Sequence, residues 1–149
     1  MEEREELSLL SYSQPLAFGF SLLPEFDQPY NIEEYKKRCD GKHLALIAKI
    51  DNEPVGFKIG FDRLKDGSFY SWMGGVLPEF RQMGVAYSLA NSQEKWATEN
   101  GFNSIILKTR KKHDEMIAFS LNRGFTITEE IQMDPDEETR IWMEKLLSR

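Results

Sequence analysis

The strongest periodicity in the chain begins at Leu44. Leu44, Leu46, Ala48 and Ile50 alternate with their neighbours, Asp51-Asn52 turns the chain, and Val55, Phe57, Ile59 and Phe61 are expected to line one face. A period of two on both sides of a short turn predicts an antiparallel hairpin. Asp66-Gly67 is a second turn signal, and Ser68 to Val76 reads as a third strand of the same meander. The period then changes: Val85, Leu89, Ala90, Trp96 and Ala97 fall on one helical face, and Asn100-Gly101 ends the helix. Ser104 to Thr109 reads as a short buried strand, and Asp114 to Asn122 as a helix stopped at Gly124. Phe125 to Met133 and Thr139 to Leu146 form a final hairpin around Asp134-Pro135. Upstream, Glu5 to Leu10 is a weak first strand. Residues 11 to 40 are irregular, with two short helical stretches. The second, Ile32 to Cys39, follows Asn31 as N-cap and carries Glu33 and Glu34 in its first turn. The order β, α, α, β, β, β, α, β, α, β, β predicts a mixed sheet with helices on its faces.

At 149 residues the chain is the size of one domain, expected to span residues 1–149. Its longest apolar run, Leu44 to Ala48, is far short of the ~20 residues that cross a bilayer. The amino terminus, Met1-Glu2-Glu3-Arg4-Glu5-Glu6, is acidic where a secretory signal is basic. A single cysteine, Cys39, makes no internal disulfide and fits a reducing compartment, so the expected location is the cytoplasm, with no membrane partner. Cys39 and His43 offer two ligands where a metal site wants at least three, so no metal is expected.

The net charge of −6 is unevenly spread. Residues 1–6 hold −3 and residues 129–138 hold −6, which leaves +3 for the rest. The middle of the chain can therefore hold an anionic ligand. The one basic cluster, Lys108 with Arg110, Lys111 and Lys112, is too short for the basic face of a nucleic-acid binder, and no such partner is expected.

Trp72 to Leu89 carries the chemistry. Gly74 and Gly75 lie inside an otherwise good strand, where glycine packs nothing and so marks a bulge or a close approach to the backbone. Pro78 ends that strand, and Arg81-Gln82-Met83-Gly84-Val85-Ala86 runs directly into a helix. Gly84 lets the backbone curl around a ligand, Ala86 keeps the first turn narrow, and the unpaired amides of the helix start attract phosphate. A glycine in a strand-to-helix loop is also common without any function. The loop is not that of the nucleoside triphosphatases, since Gly41-Lys42 is followed by His43.

The run Val76-Leu77-Pro78-Glu79-Phe80-Arg81-Gln82-Met83-Gly84-Val85-Ala86, followed by Leu89, resembles the signature of the GNAT superfamily of acetyl-CoA-dependent N-acetyltransferases. Ala118 and Gly124-Phe125 also match. The resemblance implies an α/β (α+β) single-domain fold: a mixed, mostly antiparallel sheet of about seven strands, helices on both faces, and a splayed central strand pair. It implies acetyl-CoA as co-substrate, with the pyrophosphate on the backbone of Gln82, Met83, Gly84, Val85, Ala86 and Tyr87, and Arg81 opening the loop. Gly75 and Val76 would border the pantetheine arm, and the Gly74 amide would polarise the thioester carbonyl. Ser120 stands where the family commonly has a tyrosine that protonates the departing thiolate, and His113 where an asparagine often contacts the pantetheine. Tyr70 maps to a glutamate base found in some members. Lys111 or Lys112 would meet the adenosine 3′-phosphate unless they are a solvated surface cluster. Tyr12, Phe18, Phe20, Phe26, Tyr30 and Tyr35 are expected to be mostly core, while the resemblance implies that their region walls the acceptor pocket, with Glu25 and Asp27 suited to a cationic amine.

Magnitudes rank the catalytic demands. An amine with pKa ~10.4 costs roughly 4.6 kcal/mol to deprotonate at pH 7, whereas a thiol near pKa ~8.5 needs about 2 kcal/mol of help. A base therefore matters more than an acid; Tyr70 through a water, Glu25, Asp27 or bulk water would serve, and Ser120 would donate a proton or simply be small beside the sulfur. The expected activity is acetyl transfer to a small-molecule or peptide amine by direct attack in a ternary complex. The alternative is a CoA or acyl-CoA binding module without turnover. The late hairpin is placed to pair across a homodimer.

Overall fold

The computed structural model describes residues 7–11, 37, 38 and 41–148. Seven strands form one sheet: β1 (Leu7–Ser11), β2 (His43–Ile50), β3 (Glu53–Phe61), β4 (Ser68–Val76), β5 (Ser104–Arg110), β6 (Thr126–Ile131) and β7 (Arg140–Leu146). Helix α1 (Val85–Glu99) joins β4 to β5, and α2 (Asp114–Asn122) joins β5 to β6. The spatial order is β1-β2-β3-β4-β5-β7-β6. Every neighbouring pair is antiparallel except β4 and β5, which run parallel and need the α1 crossover. Of the expected Ile32 to Cys39 helix, only Lys37 and Arg38 fall within the described residues, and both are helical. The six aromatics of residues 12–35, Glu25, Asp27 and the first helical stretch lie outside them. No helix among the described residues is long and apolar enough to cross a membrane.

Both faces of the central strands are buried, which is why Leu44 to Ala48 is continuously apolar. Leu44, Leu46, Ala48 and Ile50 join Phe69, Ile105, Leu107 and Met143 under α1, which adds Val85, Leu89 and Ala97. Ala45, Ile47, Phe57, Ile59 and Phe61 pack on the other face with Tyr70 and Ile106. Val55 departs from the expected alternation and packs with the α1-side cluster. The cause is a bulge: Gly56 opposes Ala48 and Pro54 opposes Lys49, so Val55 is an extra residue that turns its side chain over. Within α1, Gln93 is buried beside the expected apolar positions.

Gly56 and Gly60 let layers approach. A Cβ at Gly56 would stand 3.0 Å from Val85 Cγ1, which sets how closely α1 lies on the sheet. One at Gly60 would meet the Tyr70 carbonyl oxygen at 2.7 Å and the Phe69 ring. Gly60→Ala is therefore expected to destabilise the fold by roughly 1–3 kcal/mol through overpacking, read as a lower urea midpoint with unchanged slope.

Candidate functional site

β4 and β5 begin together and then part. Ser68, Phe69 and Tyr70 pair with Ser104, Ile105 and Ile106, and the ladder stops there. β4 continues to Val76 on β3, while β5 stays on β7 from Ser104 to Arg110. The parting coincides with a second bulge, where Met73 opposes Ile59 and Ser71 opposes Gly60, leaving Trp72 extra. Trp72 and Met73 consequently both pack on the face away from α1.

The register fixes which β4 amides face the gap. Leu77 N–H donates to the Val55 carbonyl at 2.8 Å. Antiparallel pairs alternate between bonded and unbonded, so Gly75 bonds to β3, whereas the N–H and C=O of Gly74 and Val76 point away from it, into the opening. The Val76 carbonyl accepts the Nε–H of Arg81 at 3.1 Å, as this orientation requires. A Cβ at Gly74 would sit 3.2 Å from the Phe57 carbonyl oxygen, so the strand is tightest where it is asked to expose its amide.

Beyond Val76, the turn Pro78–Phe80 leads to two left-handed residues, Gln82 (φ 65°) and Gly84 (φ 81°), and α1 starts immediately after them. A Cβ at Gly84 would touch nothing within 4 Å, so glycine is favoured there by its backbone angle and not by crowding. No side chain among the described residues caps α1, and its first turn holds no acid. Its leading amides lack internal acceptors, and their partial positive charge is left for an anion. From the other side, α2 brings Glu115, Met116 and Phe119 to the same opening.

The result is a cleft of about 550 Å³. Gly74, Gly75, Val76, Arg81, Gln82, Gly84, Val85, Ala86 and Tyr87 all line it. Met83 is exposed and off the lining. Three other sequence candidates are also off it. His113 is the exposed residue preceding α2, its carbonyl accepting from Ile117 N–H at 3.1 Å. The Tyr70 ring packs edge-on to Phe61 at 5.6 Å and lies 6.0 Å from Trp142. Ser120 is on the buried face of α2 and lines a small adjoining cavity of about 20 Å³. Lys111 and Lys112 pair with Asp136 at 2.7 Å and Glu138 at 2.6 Å, and Arg110 also reaches Glu138, at 2.9 Å. Among the described residues no three His, Cys, Asp or Glu side chains gather as a metal site.

One residue that sequence reasoning passed over is Lys58. It opposes Gly74 across β3 and β4 and lines both the cleft and the small cavity, which it shares with Ser71, Gln93 and Ser120. Burial, followed by the Arg123 charge, lowers its pKa from 10.5 to about 8, although Glu94 pulls the other way. Glu94 is already committed to Arg123 and, at 2.6 Å, to Lys145. The buried Nε2 of Gln93, on the same cavity as this lysine, has no hydrogen-bond partner among the described residues. The signal in the sequence was Gly56-Phe57-Lys58-Ile59-Gly60, a lysine set between two glycines on the strand face that receives α1.

The acetyltransferase (GNAT) family matches residues 11–125, and the chain belongs to it. Solved structures agree in fold. The ribosomal-protein-S18-alanine N-acetyltransferase from Escherichia coli superposes with a TM-score of 0.82 at 14% identity, over 97% of this chain and 96% of that one. An aminoglycoside 6′-N-acetyltransferase complexed with coenzyme A gives 0.75 at 16%, over 95% and 98%. A Bacillus anthracis protein described as a putative streptothricin acetyltransferase, in complex with acetyl coenzyme A, gives 0.66 at 21%, over 70% and 62%.

Lys58 makes the site a local burden on stability. Lys58→Met is expected to stabilise the protein at pH 7 by about 1–3 kcal/mol, measured by urea unfolding. Between about pH 8 and 10.5 the unfolded lysine still holds a proton that the folded one has released. The wild type therefore gains stability as pH rises through that window, and the advantage of the variant shrinks.

Proposed function

We propose that this chain is a cytoplasmic N-acetyltransferase that moves an acetyl group from acetyl-CoA to a primary amine by direct attack, residues 1–149 acting as one domain. The observation that carries the reading is the opening between β4 and β5, with Gly74 and Val76 turned into it and the uncapped start of α1 at its end. Two of the fold neighbours are described with coenzyme A or acetyl coenzyme A bound, which supports the choice of co-substrate.

The cleft suits such a molecule. The backbone of Gln82 to Tyr87 would receive the pyrophosphate, with Arg81 adding charge and Met83 contributing only its main chain. Gly74 and Val76 would hydrogen-bond an extended arm as a further strand would, and Met116 and Phe119 would cover its apolar length. Bound acetyl-CoA supplies a thioester carbonyl open to a nitrogen nucleophile. The Gly74 amide would stabilise the developing oxyanion. Lys58, across from Gly74, is placed to protonate a departing thiolate, a task for which a pKa near the working pH is well matched. Ser120 is then small where the family tends to be large, and His113 borders α2 without a chemical role. Tyr70 stays off the lining with its ring against Phe61, so the amine's proton is assigned to water and not to that phenol.

The test is thiol release from acetyl-CoA with amine acceptors of several classes. Amine-dependent release is expected; tight CoA binding with no release from any acceptor would favour a binding module, the reading that Ser120 keeps open. Gly84→Val is expected to abolish the rise in Tm that CoA gives the wild type, and an unchanged rise would remove the cradle. Ser120→Ala is expected to keep kcat within about fivefold, while Lys58→Met loses tenfold or more. Lys58→Met should also lose the fall in kcat above about pH 8 that follows when Lys58 gives up its proton.

A further inference from the structure

On the sheet face away from α1, positive charge is collected around aromatic rings. The Arg63 guanidinium stands 4.7 Å from the Tyr70 ring and 5.6 Å from that of Trp142, and the Lys108 ammonium is 5.5 Å from the same Trp142. Arg38 lies 4.9 Å over Trp72. In the β5–β7 register Lys108 opposes Trp142 and Arg110 opposes Arg140, which brings a further arginine to the group. Arg110 is taken by Glu138. Arg63, Lys108 and Arg140 make no ion pair among the described residues. The acids nearest in register do not relieve them: Glu144 accepts from the Ser104 hydroxyl at 2.9 Å, and Glu129 opposes Trp142 from β6 without an ion pair.

Cations gathered with so few anions repel one another, and aromatic faces offset only part of that cost. The strain is visible at Lys108, whose pKa lies below its ordinary value through burial and then the charges of Arg63, Arg140, Arg38 and Arg110. Lys108 and Trp72 both line the cleft, so the cluster opens where an acceptor would meet the thioester. We propose that the acceptor amine also bears a carboxylate, which the Arg63, Lys108 and Arg140 cluster beside Trp142 receives. The inference rests on the acetyltransferase reading and narrows it: polyamines and aminoglycosides meet a repulsive wall, whereas an amino acid or an acidic peptide is drawn in.

The experiment compares glutamate, the peptide amides Ala-Glu-Glu and Ala-Lys-Lys, and spermidine, using thiol release from acetyl-CoA and quenching of tryptophan fluorescence. Acidic acceptors are expected to exceed the cationic ones at least tenfold in kcat/KM, with glutamate and Ala-Glu-Glu separating a free amino acid from a peptide. Lys108→Glu should reverse the preference between acidic and cationic acceptors through KM. Lys108→Met, which keeps the stem, should give an intermediate value and guards against misfolding. Should acetyl-CoA bind but no amine be acetylated, fluorescence quenched by glutamate or Ala-Glu-Glu in the wild type and not in Lys108→Glu still supports the anion site. Transfer that favours spermidine or Ala-Lys-Lys, or a preference untouched by Lys108→Glu, overturns the proposal while leaving the acetyltransferase reading intact. Absence of acetyl-CoA binding removes both.

Discussion

The site depends on two parallel strands that agree for three residue pairs and then separate. Unsatisfied strand edges are costly inside a protein, and folds usually avoid them. Here the separation is held from outside: β3 keeps β4 along its length, β7 keeps β5 along its length, and the bulge at Trp72 bends one away from the other. The backbone groups thus exposed do not collapse onto each other because each strand is already anchored by its other neighbour. Part of the polar lining of such an opening comes from main chain, which substitution cannot easily remove.

Side chains then give the opening its two characters. On the α1 side, Glu94 gathers Arg123 and Lys145, tying α1 to the end of α2 and to β7 and so fixing the distance between the cleft walls. These pairs are half-buried, so removing one partner would leave the others in a poorly solvated place. Lys58 enters this region as a cation that water solvates poorly and that the committed Glu94 only partly compensates. On the opposite face, Arg63 stands over Tyr70 and Trp142, and Lys108 over Trp142. The acidic segment that dominates the net charge is spent elsewhere, on Arg110, Lys111 and Lys112.

Much of the architecture was legible because it rests on period and punctuation. Alternation from Leu44 and the helical face from Val85 marked the elements, and Gly124 stopped α2 in its left-handed turn. The loop from Arg81 to Tyr87 was readable because glycine and proline report backbone geometry directly. Two things were not legible. Bulges at Val55 and Trp72 change which face a side chain takes without leaving a mark in the alternation, so Val55 was assigned to the wrong face. Groups assembled from distant strands, such as Lys58 with Gly74 or Arg63 with Trp142, have no spacing to read, since register between strands is settled by the whole sheet.

Because only every second β4 residue turns its amide outward, Gly74 and Val76 offer contacts about 7 Å apart. A flexible chain laid along them is measured against that interval and held at a set extension. The reactive end of a bound carrier would then be positioned by a molecular ruler, whatever the size or shape of the molecule that comes to meet it.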